Sequence, residues 1–400
     1  YMISGGYYDE KGLITNSFFR RVSLRVNSDH KVGKRLKIGE SIQLTNSKDN
    51  SLNTLSAQDG IIWSAIRFMP FIPVKNADGT WGTSKASNEY GDINNPVFTA
   101  NNTDASNINN RILGNLNAEL EIIKGLKLKA NFGLDANHYT GRNFSTIVTD
   151  QTRTTNNNSL GRNFSESYSL LGEYFLSYNK TFADLHRVDF VGGYTAQTFN
   201  GDWFSAAKRD FINEAMNQRF LDVGQTLGNI GGNRSYDALS SWFGRVNYDF
   251  DRKYLLTATF RADGSSKFAE GNKWGYFPAF SAGWRISEEK FFDNVGFIDE
   301  LKLTGGWGQL GNQNIGGLQY LALISGGGRY SFDDNTVVGA TQSRLPNYNI
   351  SWETAEMTNI GLSIEMLKRT LQANFNYFIK TTRDMLLSPP TIGTVGTLGI

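Results

Sequence analysis

Apolar and polar residues alternate along most of this 400-residue chain. Between Leu116 and Ile122, every second residue is Leu, Ala or Ile, and the intervening positions are Asn or Glu. After a Lys124-Gly125 turn, residues 126–135 repeat the alternation with Lys, Asn and Asp at the polar positions. Because the side chains of a strand point alternately to its two faces, these stretches predict a β-hairpin with one apolar and one charged face.

The same alternation predicts about thirteen strands along the chain. They are expected near residues 1–8, 17–29, 34–46, 111–123, 125–138, 164–180, 186–200, 235–250, 253–264, 276–287, 300–310, 350–366 and 369–382. A pattern with two such different faces, repeated over nearly the whole chain, is typical of a transmembrane β-barrel.

The predicted connections alternate between short turns and long polar loops. The long ones are residues 47–110, 139–163, 201–234, 265–275 and 311–349, and 288–299 is a longer connection on the short side. This asymmetry is typical of outer-membrane barrels, whose short turns face the periplasm and whose long loops face the exterior. The sequence therefore predicts an all-β fold that forms part of a large antiparallel transmembrane β-barrel.

Composition agrees with this fold and narrows the class of protein. Aromatic residues make up 13% of the chain, and 42 Gly against 7 Pro favour strands joined by tight turns. No apolar run approaches the roughly 18 residues that mark a membrane-spanning helix. The absence of Cys excludes disulfides and thiolate metal sites. The formal charge of +2 comes from scattered residues, so no basic stripe indicates a nucleic-acid partner.

Charged side chains on the polar face of the strands are expected to line a wet lumen, while the apolar face contacts outer-membrane lipids. The lumen-facing candidates are Arg25, Lys37, Glu119, Glu121, Lys127, Lys129, Asp135, Glu173, Asp189, Arg245, Arg261, Asp263 and Glu365. Lumen lining explains the carboxylates among them better than a catalytic acid and base pair.

Aromatic residues of the predicted extracellular loops are the candidate ligand contacts. They are Trp63, Trp81, Tyr90, Trp203, Phe204, Trp274 and Tyr330. Flat rings can stack on sugars or hold apolar peptide side chains. The alternative is that they pack inside long loops that need small cores of their own. The 47–110 region, with a short helix expected around residues 57–68, is predicted to fold over the extracellular mouth.

Other motifs carry no chemistry. Residues 306–311 match G-x-G-x-x-G, but no amphipathic helix follows, so a nucleotide site is not expected. His30, His138 and His186 have no nearby ligand partner, so no metal site and no cofactor are expected. Arg261 and Asp263 lie near a predicted loop, where a turn at Asp263-Gly264 competes with ligand contact as their role. No catalytic motif is present, and an enzyme is not expected.

Ordered sequence blocks in the second half resemble the SusC/RagA family of TonB-dependent outer-membrane transporters, found in Bacteroidota. The blocks are residues 241–248 (SWFGRVNY), 254–259 (YLLTAT), 261–268 (RADGSSKF), 275–287 (GYFPAFSAGWRIS), 301–303 (LKL), 308–313 (GQLGNQ), 352–354 (WET) and 358–361 (TNIG). Residues 4–8, 20–27 and 73–79 in the first half are similar more loosely.

The resemblance implies a 22-stranded barrel with an N-terminal plug in the outer membrane of a Gram-negative bacterium. It also implies a SusD-like lipoprotein lid, energy from a TonB-ExbB-ExbD complex, and import of oligosaccharides or peptides. Residues 1–400 are expected to be a middle portion of that barrel, one partial domain without plug, TonB box, signal peptide or terminal strands. A structural or adhesive barrel without active transport remains the alternative.

Overall fold

The computed structural model describes residues 1–50, 52, 60–83, 93–293 and 295–388. In these ranges the chain forms antiparallel strands and a few short helices. The strands are β1 (Met2–Lys11), β2 (Phe18–Val32), β3 (Leu36–Asp49), β4 (Asp104–Ile123), β5 (Leu126–Ser145), β6 (Ser159–Phe182), β7 (His186–Arg209), β8 (Thr226–Phe250), β9 (Tyr254–Ser265), β10 (Trp274–Arg285), β11 (Ile298–Asn312), β12 (Leu323–Phe332), β13 (Asn335–Arg344), β14 (Glu353–Met366) and β15 (Leu371–Arg383).

Thirteen of these strands form one sheet, and the predicted all-β fold and strand number are therefore confirmed. Neighbours in the sheet follow chain order from β1 to β11 and continue with β14 and β15, and every pair is antiparallel. Strands β1 and β15 form the two edges, so the sheet is not closed among the described strands.

Strands β4 to β8 are longer than the sequence pattern predicted, with 20 to 25 residues each. Residues 139–145, 201–209 and 226–234 belong to strands and not to loops. A barrel strand needs only about 9–11 residues to cross a membrane. Beyond that length no lipid faces the strand, so the alternation of apolar and polar residues fades and the sequence resembles a loop.

A two-stranded hairpin of β12 and β13 lies inside the predicted loop 311–349 and was not predicted. Most of its described residues are exposed, including Ile324, Tyr330 and Val338. A strand without a buried face needs no alternation, so its sequence carries no period-two signal.

The described residues between β3 and β4 include two short helices. Helix α1 (Ile61–Arg67) falls within the helix expected near residues 57–68, whereas α2 (Pro96–Asn102) was not predicted. The Asn95 side chain caps α2 by accepting from the backbone N–H groups of Val97 and Phe98. Among the described residues, no helix is both long enough and apolar enough to cross a bilayer.

The strand register divides the sheet into an apolar face and a polar face. Residues paired across antiparallel strands share a face, and Tyr174, Tyr194, Trp242 and Ala262 follow one another in this way from β6 to β9. Large side chains of the apolar face are open to the surroundings, and Leu116 is 50% exposed. Such a surface is stable against lipid but not against water.

At the end of the sheet remote from the short turns, residues 210–225 fold back over the apolar face. Phe211 packs edge-on against Phe144, with ring centroids 5.4 Å apart, and both contact Leu160 in a buried cluster. Partly buried Leu221 and Val223 complete the packing. This cluster fixes a loop on the long extensions of β5, β6 and β7.

Asp104 is the first residue of β4, and its side chain joins the same loop to β4 and β5. Nη1 of Arg142 lies 2.8 Å from Oδ1 of Asp104, and Arg219 of the loop donates to Oδ2. The Arg219 guanidinium also lies over the Phe144 ring, 4.2 Å from its centroid. Burial alone raises the pKa of Asp104, but the hydrogen bonds from Arg142 and Arg219 outweigh burial and hold the pKa below 3.8.

A charged side chain introduced on the apolar face tests the division between the two faces. We expect Leu176→Arg to lower the free energy of unfolding by about 2–4 kcal/mol, because its side chain lies on the apolar face, which is expected to meet lipid. The neighbouring Ser177→Arg lies on the polar face and is expected to cost less than about 1 kcal/mol. Urea unfolding from lipid vesicles measures both values, and equal costs would contradict the assigned faces.

Asp104→Asn tests the ion pairs that hold residues 210–225. Loss of the charge that pairs with Arg142 and Arg219 is expected to lower stability by about 1–3 kcal/mol at pH 7. Because the folded pKa is lowered, the difference from wild type is present above pH 3.8 and disappears as pH falls through the folded value. Asp202→Asn is the control, since Asp202 pairs with an exposed Arg234 and should cost under about 1 kcal/mol. A difference that does not shrink as pH falls below 3.8 would contradict this role.

Candidate functional site

The predicted lumen-facing residues all lie on the polar face of the sheet. The register connects them from strand to strand: Lys37 pairs with Glu119, and Glu119 pairs with Lys129. In the same way Arg25 pairs with Gln43 on β3 and Asp189 pairs with Asn247 on β8. No single pocket gathers these residues, because they are distributed over strands β2 to β9 and β14.

Cross-strand ion pairs neutralise much of this surface between β4 and β5. Nζ of Lys127 lies 2.9 Å from Oε1 of Glu119. Nε and Nη2 of Arg111 donate to the two oxygens of Asp135 at 2.8 and 2.7 Å, a two-point pair. Opposite charges placed across neighbouring strands stabilise the sheet.

A row of amide and carboxylate groups crosses the sheet beside these pairs. Asn115 donates to Asn131 at 2.7 Å, and Asn131 donates to Glu173 at 2.7 Å. Farther along, Nε of Arg187 donates to Asp189 at 3.1 Å. The polar face is therefore hydrogen-bonded to itself across several strands.

Near the edges of the sheet the predicted residues pair locally. Arg25 donates to Asn27 on its own strand at 3.2 Å. Glu365 pairs with Arg369 at 3.3 Å and accepts a hydrogen bond from Gln372. These contacts belong to the polar face of the sheet and form no enclosed site.

Arg261 and Asp263 form a partly buried polar cluster with Ser241. Nε of Arg261 donates to both oxygens of Asp263 at 2.7 and 2.9 Å, and Nη2 donates to Ser241 Oγ at 3.0 Å. Asp263 and Ser241 are buried. The expected turn at Asp263-Gly264 is wrong, because both residues pair with β10 inside strand β9. The contacts of Asp263 favour a structural role.

An aromatic core closes the polar face above this cluster. Phe268 is fully buried and packs against Phe277 and Trp352. Nε1 of Trp352 donates to the backbone oxygen of Lys273 at 2.9 Å. This core holds the connection between β9 and β10 and the segment before β14 together, and so fixes the rim of the sheet.

The sequence pattern missed an aromatic pair on the polar face. The rings of Phe175 and Phe243 lie 5.6 Å apart, and Arg261 lies over Phe243. Gly193 lies between them in the register, and a Cβ there would stand 2.9 Å from the Phe243 ring. Glycine at this position allows the two rings to meet. The Gly192-Gly193 pair is the only sequence signal for this arrangement.

Trp203 and Phe204 were expected in a loop, but both belong to β7. They are neighbours and therefore point to opposite faces. Trp203 lies on the polar face and is 46% exposed. Phe204 lies on the apolar face and stacks on Phe164, with centroids 5.1 Å apart. Of these two residues, only Trp203 points to the polar face, which is the face expected to line a lumen.

Trp81 packs between the 60–83 segment and α2. Its ring contacts Phe98 edge-on at 5.7 Å, and Nζ of Lys75 lies 4.6 Å from the ring centroid. In the adjoining turn, the Thr80 hydroxyl and backbone N–H donate to Asp78 and lower its pKa. These contacts are those of a small loop core.

The remaining candidate aromatics lie apart from one another. Trp63 is on α1, Trp274 begins β10 although a loop was expected there, and Tyr330 is on β12 against Phe332. Tyr90 lies outside the described residues. Among the aromatic contacts of the described residues, none joins two of the candidates. The structure therefore does not assemble them into one ligand site.

The three histidines contact polar or aromatic neighbours. His30 lies beside Ser28, His138 packs edge-on against Phe164, and Nδ1 of His186 lies 2.7 Å from the Tyr248 hydroxyl. No two of them are on the same strand.

Comparison with known proteins identifies the family. Residues 42–399 match the family described as TonB dependent receptor-like, beta-barrel. TonB-dependent receptor P39 of Formosa agariphila is 30% identical over 96% of this chain and 36% of its own length. TonB-dependent receptor SusC of Bacteroides thetaiotaomicron is 29% identical over 97% of this chain and 40% of its own length. The chain thus spans about two fifths of these relatives.

Solved structures agree on the fold. The structure of the RagAB peptide transporter is similar over 99% of this chain, with a TM-score of 0.84 and 22% identity. The similar region is 44% of the transporter chain. The ferripyoverdine receptor of the Pseudomonas aeruginosa outer membrane matches 94% of this chain with a TM-score of 0.53 and 11% identity. The chain belongs to the TonB-dependent receptor β-barrel family, and its thirteen-stranded sheet is a portion of an outer-membrane barrel.

Proposed function

We propose that the chain is the barrel portion of a TonB-dependent importer of large nutrients, oligosaccharides or peptides, acting with a SusD-like surface lipoprotein. The family match over residues 42–399 carries the proposal. Similarity to SusC supports a SusD-like partner, and similarity to a peptide transporter supports large solutes. The TonB-ExbB-ExbD complex would act through parts of the whole protein.

The polar face suits passage of large polar solutes. Its predicted wall residues include six basic and seven acidic side chains, and pairs such as Glu119 with Lys127 cancel their charges locally. A wall with strong net charge would retain oppositely charged solutes. A hydrated wall of nearly balanced charge offers hydrogen bonds without such retention, which an importer of neutral sugars or mixed peptides requires.

Trp203 is the candidate that best fits a ligand contact. It lies on the extension of β7 remote from the short turns, on the polar face, with an exposed ring. An exposed indole can stack on a sugar or cover an apolar peptide side chain. Phe204 and Trp81 are engaged with other protein rings, which favours structural roles for them.

Uptake by whole cells tests transport. Deletion of the gene for the full-length protein is expected to abolish growth on one oligosaccharide or peptide mixture, and deletion of tonB is expected to do the same. Radiolabelled uptake of the same nutrient provides the measurement. Uptake that continues without TonB, or no nutrient phenotype together with lost adhesion, would instead favour the structural or adhesive alternative.

Two neighbouring aromatic residues of β7, Trp203 and Phe204, test the ligand contact. We expect Trp203→Ala to weaken nutrient binding roughly fivefold to a hundredfold, because loss of a stacked aromatic ring removes roughly 1–3 kcal/mol. Phe204→Ala removes a neighbouring ring of similar exposure from the opposite face and is the matched control. Isothermal titration of the full-length variants gives the affinities. Equal effects of the two substitutions would contradict the assignment.

A further inference from the structure

A polar cluster interrupts the apolar face on β2 and β3. Ser28, His30 and Glu40 lie on this face, and Ile38 and Ile42 flank Glu40 along β3. An ionisable side chain in a lipid-facing surface costs free energy unless it finds a partner. The cluster therefore marks a site that the packing of the sheet does not explain.

The hydrogen bonds in the cluster leave one carboxylate oxygen open. The Ser28 hydroxyl donates to Oε1 of Glu40 at 2.6 Å, and Nε2 of His30 lies 2.6 Å from the same hydroxyl. Since a hydroxyl has one proton, His30 is then the donor to Ser28. In the described part of the chain, Oε2 of Glu40 has no hydrogen-bond partner. The Glu40 side chain is 41% exposed, so this oxygen is accessible from outside.

Glu40 stands at one end of an apolar groove of about 850 Å³ on the same face. The groove crosses the sheet from β3 to β7. Its floor consists of the small residues Gly114, Gly172 and Ala196, and Tyr174 is in its wall. Register places Glu40 and Ala196 on one line perpendicular to the strands. The groove is therefore a continuous apolar depression on the surface of the sheet, and Glu40 is the acidic residue at one end of it.

The groove also rises through the membrane. Glu40 lies four residues after the start of β3, whereas Ala196 lies ten residues after the start of β7. At about 3.3 Å per residue and a strand tilt of about 40°, these positions stand roughly 10 and 25 Å from the level of the short turns. The difference of about 15 Å is half of a hydrocarbon core about 30 Å thick.

We propose that the groove binds one aminophospholipid of the periplasmic leaflet. The primary ammonium of the headgroup donates to Oε2 of Glu40, and one acyl chain follows the small-residue floor toward the bilayer centre. The acidic end disfavours a headgroup without a cation.

Charge and leaflet position together favour this occupant. An ammonium ion supplies both the positive charge and the hydrogen-bond donor that Oε2 lacks. The groove begins near the short turns and ends near mid-membrane, as one lipid of that leaflet does. This proposal rests on the membrane location of the sheet and not on nutrient transport.

Native mass spectrometry of the detergent-solubilised full-length protein tests the headgroup contact. Phosphatidylethanolamine and phosphatidylglycerol with identical acyl chains are the probes. We expect wild type to bind phosphatidylethanolamine about tenfold more tightly, and Glu40→Gln to remove that preference. Equal binding of both lipids by wild type, or an unchanged preference in Glu40→Gln, would overturn the proposal.

Two glycine substitutions test the acyl-chain contact. A Cβ at Gly172 or at Gly244 meets no atom within 4 Å, so leucine fits the backbone at both positions. Both residues lie on the apolar face, but only Gly172 lines the groove. Gly172→Leu is expected to lower binding of both lipids at least fivefold, whereas Gly244→Leu leaves it unchanged. Heat-modifiable migration in gels verifies that each variant is folded.

The oligomeric state distinguishes the competing occupant. If a second copy of the chain covers the groove, Gly172→Leu would lower the mass of the complex measured by light scattering. A lower mass with unchanged lipid binding would overturn the proposal. Equal lipid binding in the two leucine variants would overturn it as well.

Discussion

Backbone hydrogen bonding in a medium without water is the constraint on which the rest of this structure depends. Inside a bilayer, each strand must satisfy its N–H and C=O groups through its neighbours. The result is a continuous antiparallel ladder whose register is fixed from β1 to β15. Once the register is fixed, every side chain is assigned to one face. The apolar face, the polar wall and the groove with Glu40 at its end all follow from that assignment.

The two faces carry different kinds of interaction. On the polar face, side chains pair with each other, as Arg111 does with Asp135 and Asn131 with Glu173. On the apolar face, aromatic and aliphatic side chains form the surface that contacts lipid. Where the strands extend beyond the membrane, the apolar face is covered by protein, and residues 210–225 supply the cover through Phe211 and Arg219.

The sequence alone predicted the sheet well because lipid on one side and water on the other force a period of two. That signal located thirteen strands and placed residues such as Lys127 and Glu173 on the polar face. It failed where the constraint ends, in the extensions that hold Trp203 and in the exposed β12–β13 hairpin, because no lipid faces these segments. It could not foresee the Phe175 and Phe243 pair, because Gly193 brings these rings together through packing across three strands.

Accessibility along β6 tests the central claim most directly. Single cysteines at residues 170–177, each carrying a nitroxide spin label, can be placed in a cysteine-free full-length protein and reconstituted in vesicles. The account predicts that labels at even positions collide with lipid-dissolved oxygen and labels at odd positions with a water-soluble nickel complex, in strict alternation. Uniform accessibility, or a period near 3.6 residues, would contradict it.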